Sequence, residues 1–207
     1  LLGTRLQEAG EEIVLLDANR DSTEEAQEEG LKVVFGNATE ERAMLSAQFE
    51  SRRGIVGLLD NSAQNLLFAQ KGREEGGAPR AWVALQRGPG TPEPSTAEDT
   101  GAHILFAGPQ DIELWAVRIR RGLARLEVWQ WSDQKEHASD TTWQTPKESR
   151  NQLLPLLLRR GDDRILIDET TRFQDGDTVE WLIFAEAAEA AHERLKEQGW
   201  TLLEEIE

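Results

Sequence analysis

The stretch EEIVLLDANR, Glu11 to Arg20, places four apolar residues, Ile13 to Leu16, directly before Asp17 and a polar loop. The run is short, continuous and β-branched at its start, so it reads as a strand buried on both faces. Just upstream, LGTRLQEAG (2–10) reads as the last turns of a helix closed by Gly10. A helix that feeds a buried strand ending in a carboxylate belongs to a parallel α/β sheet. There the carboxyl ends of the strands form the mouth of a ligand crevice.

Further along, the same alternation repeats. DSTEEAQEEG (21–30) reads as a helix with Ser22 or Asp21 as N-cap and Gly30 as its stop. LKVVFG (31–36) is a strand, and TEERAMLSAQF (39–49) is a helix with Thr39 as N-cap. RGIVGLLD (53–60) is a strand ending in a second Asp, SAQNLLFAQKGREE (62–75) an amphipathic helix, and RAWVALQR (80–87) a strand. Apolar strands separated by helices predict βαβ units, right-handed crossovers and a Rossmann-like, doubly wound parallel sheet over residues 1–87. The chain starts at Leu1 and its only methionine is Met44, so a first strand and its loop are expected ahead of Leu1.

GPGTPEPSTAEDTG (88–101) reads as a linker, and the pattern changes beyond it. HILFA (103–107) is a short strand, PQDIELWAVRIRRG (109–122) a helix, and ARLEVWQW (124–131) an alternating strand with Leu126 and Val128 on one face and Glu127, Trp129 and Trp131 on the other. LLPLLLRR (153–160) and RILID (164–168) predict a hairpin, VEWLIFA (179–185) a strand, and 186–199 a terminal helix with a short tail. Residues 132–151 predict no element. Residues 102–207 therefore read as a smaller α+β domain.

Composition removes several classes of function. The chain has no Cys, which excludes disulfides, thiolate catalysis and Cys-ligated zinc. A net charge of −16, from 39 acidic against 23 basic residues, repels phosphate backbones and anionic lipid. No apolar run approaches the roughly 20 residues that span a bilayer. His103, His137 and His192 lie far apart, with no metal-ligand spacing and no catalytic context, and HASD (137–140) lacks a nucleophile elbow. No catalytic residue and no metal ligand is expected. The six Trp residues of the second half, at 115, 129, 131, 143, 181 and 200, read as core or oligomer surface before they read as a ligand groove.

Three strand exits carry the candidate site. Asp17 could accept hydrogen bonds from ribose hydroxyls or simply cap the next turn. Asn37 and Ala38, within FGNATEE (35–41), could take the edge and face of an adenine, while Gly36 and Thr39 could equally serve a strand-to-helix turn. Asp60 and Asn61, within LLDNSAQN (58–65), face the same crevice or cap the next helix.

In this order and spacing, Asp17, Gly36-Asn37-Ala38-Thr39 and Asn61-Ser62-Ala63-Gln64-Asn65 resemble the RCK domain, also called KTN or TrkA-N, over residues 1–87. The stretch 153–184, with its apolar LPL strand and Gly176-Asp177-Thr178 before a last strand, resembles the segment found after such a domain in cytoplasmic tails of bacterial cation/proton antiporters. The resemblance implies a regulatory tail on the cytoplasmic side of the membrane, paired as a homodimer and joined to the transmembrane part of a sodium or potassium transporter. It also implies NAD(H), AMP, ADP or ATP as ligand, with Asp17 on the ribose, Asn37 and Ala38 on the adenine, and Asp60 and Asn61 beside the pyrophosphate or ribose. The Gly-rich phosphate loop of the family is not in this chain, and Asn37 stands where many relatives have Asp. A soluble NAD(P)-dependent oxidoreductase and a dimerisation module with a vestigial site are the alternatives.

Overall fold

Short apolar runs without alternation become parallel strands here. The computed structural model describes residues 1–88, 91–132, 149 and 151–206. Helix α1 (Leu2–Glu8) stops before Gly10, whose φ of +89° suits a residue without Cβ. Strand β1 (Val14–Asp17) then leads through α2 (Arg20–Glu28) to β2 (Lys32–Phe35), and the two strands pair in parallel with Asp17 opposite Phe35. After α3 (Glu41–Ser46) and one 3₁₀ turn come β3 (Ile55–Gly57), α4 (Ser62–Glu74), β4 (Ala81–Val83), α5 (Pro94–Asp99) and β5 (His103–Ile104). Strands β3, β4 and β5 form a parallel sheet in that order.

The two parallel pieces share one core. Val14, Leu16 and Val34 pack against a cluster that includes Met44, Phe49, Ile55, Leu66, Phe68 and Val83. Fully burying each such side chain stabilises the fold by about 1.5–3 kcal/mol. Helix α4 crosses β3 so closely that a Cβ at Gly72 would overlap Ile55 Cδ1, which explains a glycine in the middle of a helix. Among the described residues β1 pairs only with β2, and β3 only with β4.

The second half is antiparallel. Helix α6 (Ile112–Arg120) precedes β6 (Ala124–Trp131), β7 (Leu153–Arg160), β8 (Asp163–Leu166), β9 (Thr178–Phe184), α7 (Ala188–Glu197) and β10 (Trp200–Ile206). The strand order is β10-β6-β9-β7-β8. One face, carrying Trp129, Trp131 and Trp181, packs with Leu195 and Trp200 beneath α7. The other face, with Leu126, Leu154 and Leu182, packs on Leu2, Ala84, Leu105 and Trp115, so the sheet is fixed to the parallel half by apolar contact. Trp115, Trp129, Trp131, Trp181 and Trp200 are all buried. Trp143, His137 and the HASD segment lie outside the described residues.

Several local expectations change. Helix α2 is capped by Asn19, whose Oδ1 accepts the N–H groups of Asp21 and Ser22, rather than by Ser22 or Asp21. Thr39 does not cap α3: its N–H and hydroxyl both bond Asn37 Oδ1, and the helix starts two residues later. Segment 88–101 is more than a linker, because α5 lies within it and Ala97 is buried in the same cluster as Ile55 and Ile104. The parallel sheet accordingly continues to β5. The tail after Gly199 is a full edge strand, β10, paired antiparallel with β6.

Candidate functional site

In a parallel sheet all strands deliver their carboxyl ends to the same side, so Asp17 and the turn after Phe35 are neighbours by construction. The Gly36 N–H donates to the Asp17 carbonyl at 3.0 Å, which closes the β1–β2 ladder at the crevice mouth. Asp17 Oδ1 accepts the Asn19 N–H at 2.8 Å and shapes the loop into α2. Its Oδ2 makes no hydrogen bond among the described residues and is available to a ligand. One oxygen thus builds the turn, and the ligand-binding reading of Asp17 rests on the other.

Asn37 is more constrained. Its Oδ1 accepts the Thr39 N–H at 3.0 Å and the Thr39 hydroxyl at 2.9 Å, an Asx turn that leaves only the amide NH₂ for recognition. Ala38 packs against the core beside Val34. Lys71 of α4 donates to the Thr39 carbonyl at 3.3 Å, tying this turn to the β3–α4 unit.

At the third exit, Asn61 caps α4 through Oδ1, which accepts the Gln64 N–H at 3.1 Å. Asp60 is exposed beside it. Asn65, at the end of the Asn-x-x-x-Asn motif, is fully buried. Its Oδ1 accepts the Leu59 N–H, and its NH₂ donates to the Leu59 and Ala84 carbonyls at 2.8 Å each. This side chain replaces sheet partners for Leu59, which is why β3 ends at Gly57 rather than running to Asp60. Ser62 Oγ accepts the Gln86 N–H at 2.7 Å and pins the β4 exit to the same helix start. Sequence reading missed one neighbour: Phe35, opposite Asp17, is 60% exposed and has the Arg20 guanidinium 5.8 Å from its ring centroid. An exposed Phe at a strand exit is a flat apolar surface beside Asp17.

A buried ion cluster connects α1 to the second half. Glu180 of β9 is 1% exposed and accepts Arg5 Nε at 2.8 Å and Arg159 Nη2 at 2.7 Å. Burial pushes its carboxyl up, but the hydrogen bonds and charges of Arg5 and Arg159 outweigh that and hold it below the usual carboxylate range. The unfolded value is about 4.3. A lowered folded value contributes stability that is fully present above that pH and is lost as pH falls through the folded value. Urea midpoints measured from neutral pH into acid should fall more steeply in the parent than in Glu180→Gln. Parallel profiles would show that this carboxylate does not contribute to acid sensitivity.

Residues 1–89 match the TrkA-N domain family. This part of the chain is a TrkA-N domain. TrkA-N is a nucleotide-binding fold, and domains of this kind regulate potassium channels and transporters. No curated protein matches the chain. Among solved structures it is similar to the TrkA-N domain of the inner membrane protein ybaL from Escherichia coli, at 18% identity and a TM-score of 0.46, covering 58% of this chain and 85% of that one. It is similar to the GsuK channel at 17% identity and a TM-score of 0.41, covering 92% of this chain and 36% of that one. The GsuK channel bound to NAD matches at 16% identity and a TM-score of 0.41, covering 88% of this chain and 34% of that one. This chain thus spans about a third of the GsuK chain's length. No helix among the described residues is long and apolar enough to cross a membrane.

Proposed function

We propose that the chain is the cytoplasmic regulatory part of a monovalent cation/proton antiporter or related potassium transporter, and that it senses an adenine nucleotide, NAD(H) or AMP, ADP or ATP. It works by binding and carries out no chemistry of its own. The observation that carries this reading is Asp17 at the β1 exit of a TrkA-N domain, one carboxylate oxygen fixing the turn and the other without a hydrogen bond among the described residues.

Asp17 Oδ2 accepts the ribose hydroxyls. The Asn37 amide meets an acceptor on the adenine edge, and the exposed Phe35 ring supplies an apolar face close by. Asn61 contributes chiefly by capping α4, since its Oδ1 is occupied, while Asp60 lies free at the rim. Ala38 keeps the turn close to the core. Two copies pair, and the exposed Leu58, Leu59 and Leu67 of the β3–α4 unit offer apolar surface for that pairing. Occupancy favours one arrangement of the pair, and the transporter responds to that population shift. The Arg5–Glu180 contact and the apolar seam around Trp115 carry the change from the nucleotide domain to the antiparallel sheet.

Isothermal titration of the full-length protein checks the site. Asp17→Ala removes a charged acceptor worth about 1.5–3 kcal/mol, so affinity for the bound nucleotide should fall by about 10–100-fold with the fold intact. An unchanged affinity would remove Asp17 from the site.

A further inference from the structure

The junction between the two sheets gathers three metal-binding side chains from distant parts of the chain: His103 of β5 and Asp168 and Glu169 just after β8. Their ligand atoms all lie within 4.8 Å of one another, with His103 Nδ1 3.8 Å from Asp168 Oδ2 and 3.5 Å from Glu169 Oε1. Nitrogen and oxygen ligands about 2.0–2.1 Å from a tetrahedral zinc ion are roughly 3.3 Å apart. The two His103 Nδ1 spacings lie within about 0.5 Å of that value. Nδ1 makes no direct hydrogen bond to either carboxylate at these distances.

The carboxylates are also held in place from behind. Asp168 Oδ1 accepts the Thr170 N–H at 3.0 Å and the hydroxyls of Thr170 and Thr171 at 2.8 and 3.1 Å, and Oδ2 accepts the Trp82 indole N–H at 3.2 Å. Glu169 Oε2 accepts the Ile104 N–H, which leaves Oε1 turned toward the histidine. Supports of this kind orient metal ligands before the ion arrives. Asp168 is buried while His103 is partly open to solvent, which gives an ion a path to the site. An imidazole with two carboxylates suits zinc and its first-row neighbours, whereas calcium and magnesium take oxygen ligands only.

We infer that His103, Asp168 and Glu169 form a binding site for a divalent transition-metal ion of the zinc class, which clamps β5 of the parallel half to the β8 exit of the antiparallel half. The Phe106 N–H already bonds the Ile167 carbonyl at 2.7 Å across this junction, so the ion would lock a contact that exists without it. Local spacing could not reveal the site, because its histidine and its carboxylates are some 65 residues apart in sequence.

The test is titration with ZnCl₂ and CoCl₂ of the metal-stripped, nucleotide-free protein and of His103→Asn and Glu169→Gln. These variants spare Asp168, which also anchors Trp82 and Thr170. One equivalent should bind, and cobalt should show the intense visible bands of a four-coordinate ion. Each variant should lose at least about 10-fold in affinity while keeping the parent's metal-free melting midpoint. Binding of equal strength in both variants, weak octahedral cobalt bands, or no binding at all would overturn the assignment. The nucleotide reading can fail without touching this result, and the reverse also holds.

Discussion

Replacing His192 with alanine is expected to destabilise the chain by about 1–3 kcal/mol, the usual cost of leaving a buried acceptor short of a hydrogen-bond partner. Glu127 of β6 is fully buried, and its carboxylate is held by His192 Nε2 at 2.9 and 3.0 Å and by the Trp129 indole N–H at 2.8 Å. Deleting the imidazole leaves a carboxylate under α7 with a single donor. Chemical unfolding should report the loss, and it should be recovered largely when Glu127 and His192 are replaced together by apolar residues of similar volume. A single-variant cost below about 1 kcal/mol would mean that the pair behaves as a solvated surface contact and does not anchor the helix.

Trp181→Ala should be more severe, at about 3–5 kcal/mol. The indole is wholly buried in β9, the centre of the five-stranded sheet, and packs edge-on against Trp200 with ring centroids 5.4 Å apart. Trp200 in turn meets Phe173 at 5.0 Å, so the cavity opens inside an aromatic cluster that cannot close by moving one side chain. For a chain of this length the melting midpoint should drop by roughly 10 °C. A drop of only a few degrees would show that the cluster collapses into the space. This effect bears on function as well, since the same sheet carries Glu180, to which Arg5 of the TrkA-N domain is bonded.

The parallel half is legible because its signals are local. A continuous apolar run, a capping residue and a closing glycine identify β1, β2, α2 and α4 within a residue or two; Asp17 ends β1 and Asn37 lies just past β2, while Asn61 caps α4, four residues beyond the end of β3. What escapes depends on side chains reaching across the fold. The early end of β3 is set by Asn65 bonding Leu59 and Ala84, and a propensity pattern over LLD does not register a clip from the next helix. The strand β10 reads as a tail because its apolar residues, Trp200, Leu202 and Ile206, are interrupted by a bulge and by Glu204 and Glu205. Segment 88–101 looks like a linker by composition, yet Ala97 finds a place in the core that no residue count reveals. Glu127 and Glu180 are buried carboxylates whose partners, His192, Arg5 and Arg159, come from elsewhere in the sequence.

We propose that the TrkA-N domain of this chain binds an adenine nucleotide. The most direct test is a thermal-shift panel of NAD, NADH, AMP, ADP and ATP on the full-length protein. A ligand present at 100 times its dissociation constant adds about 2.7 kcal/mol of stability, so one of the five should raise the midpoint by several degrees. If none of them moves it, the domain does not hold an adenine nucleotide and the proposed reading of Asp17 is wrong.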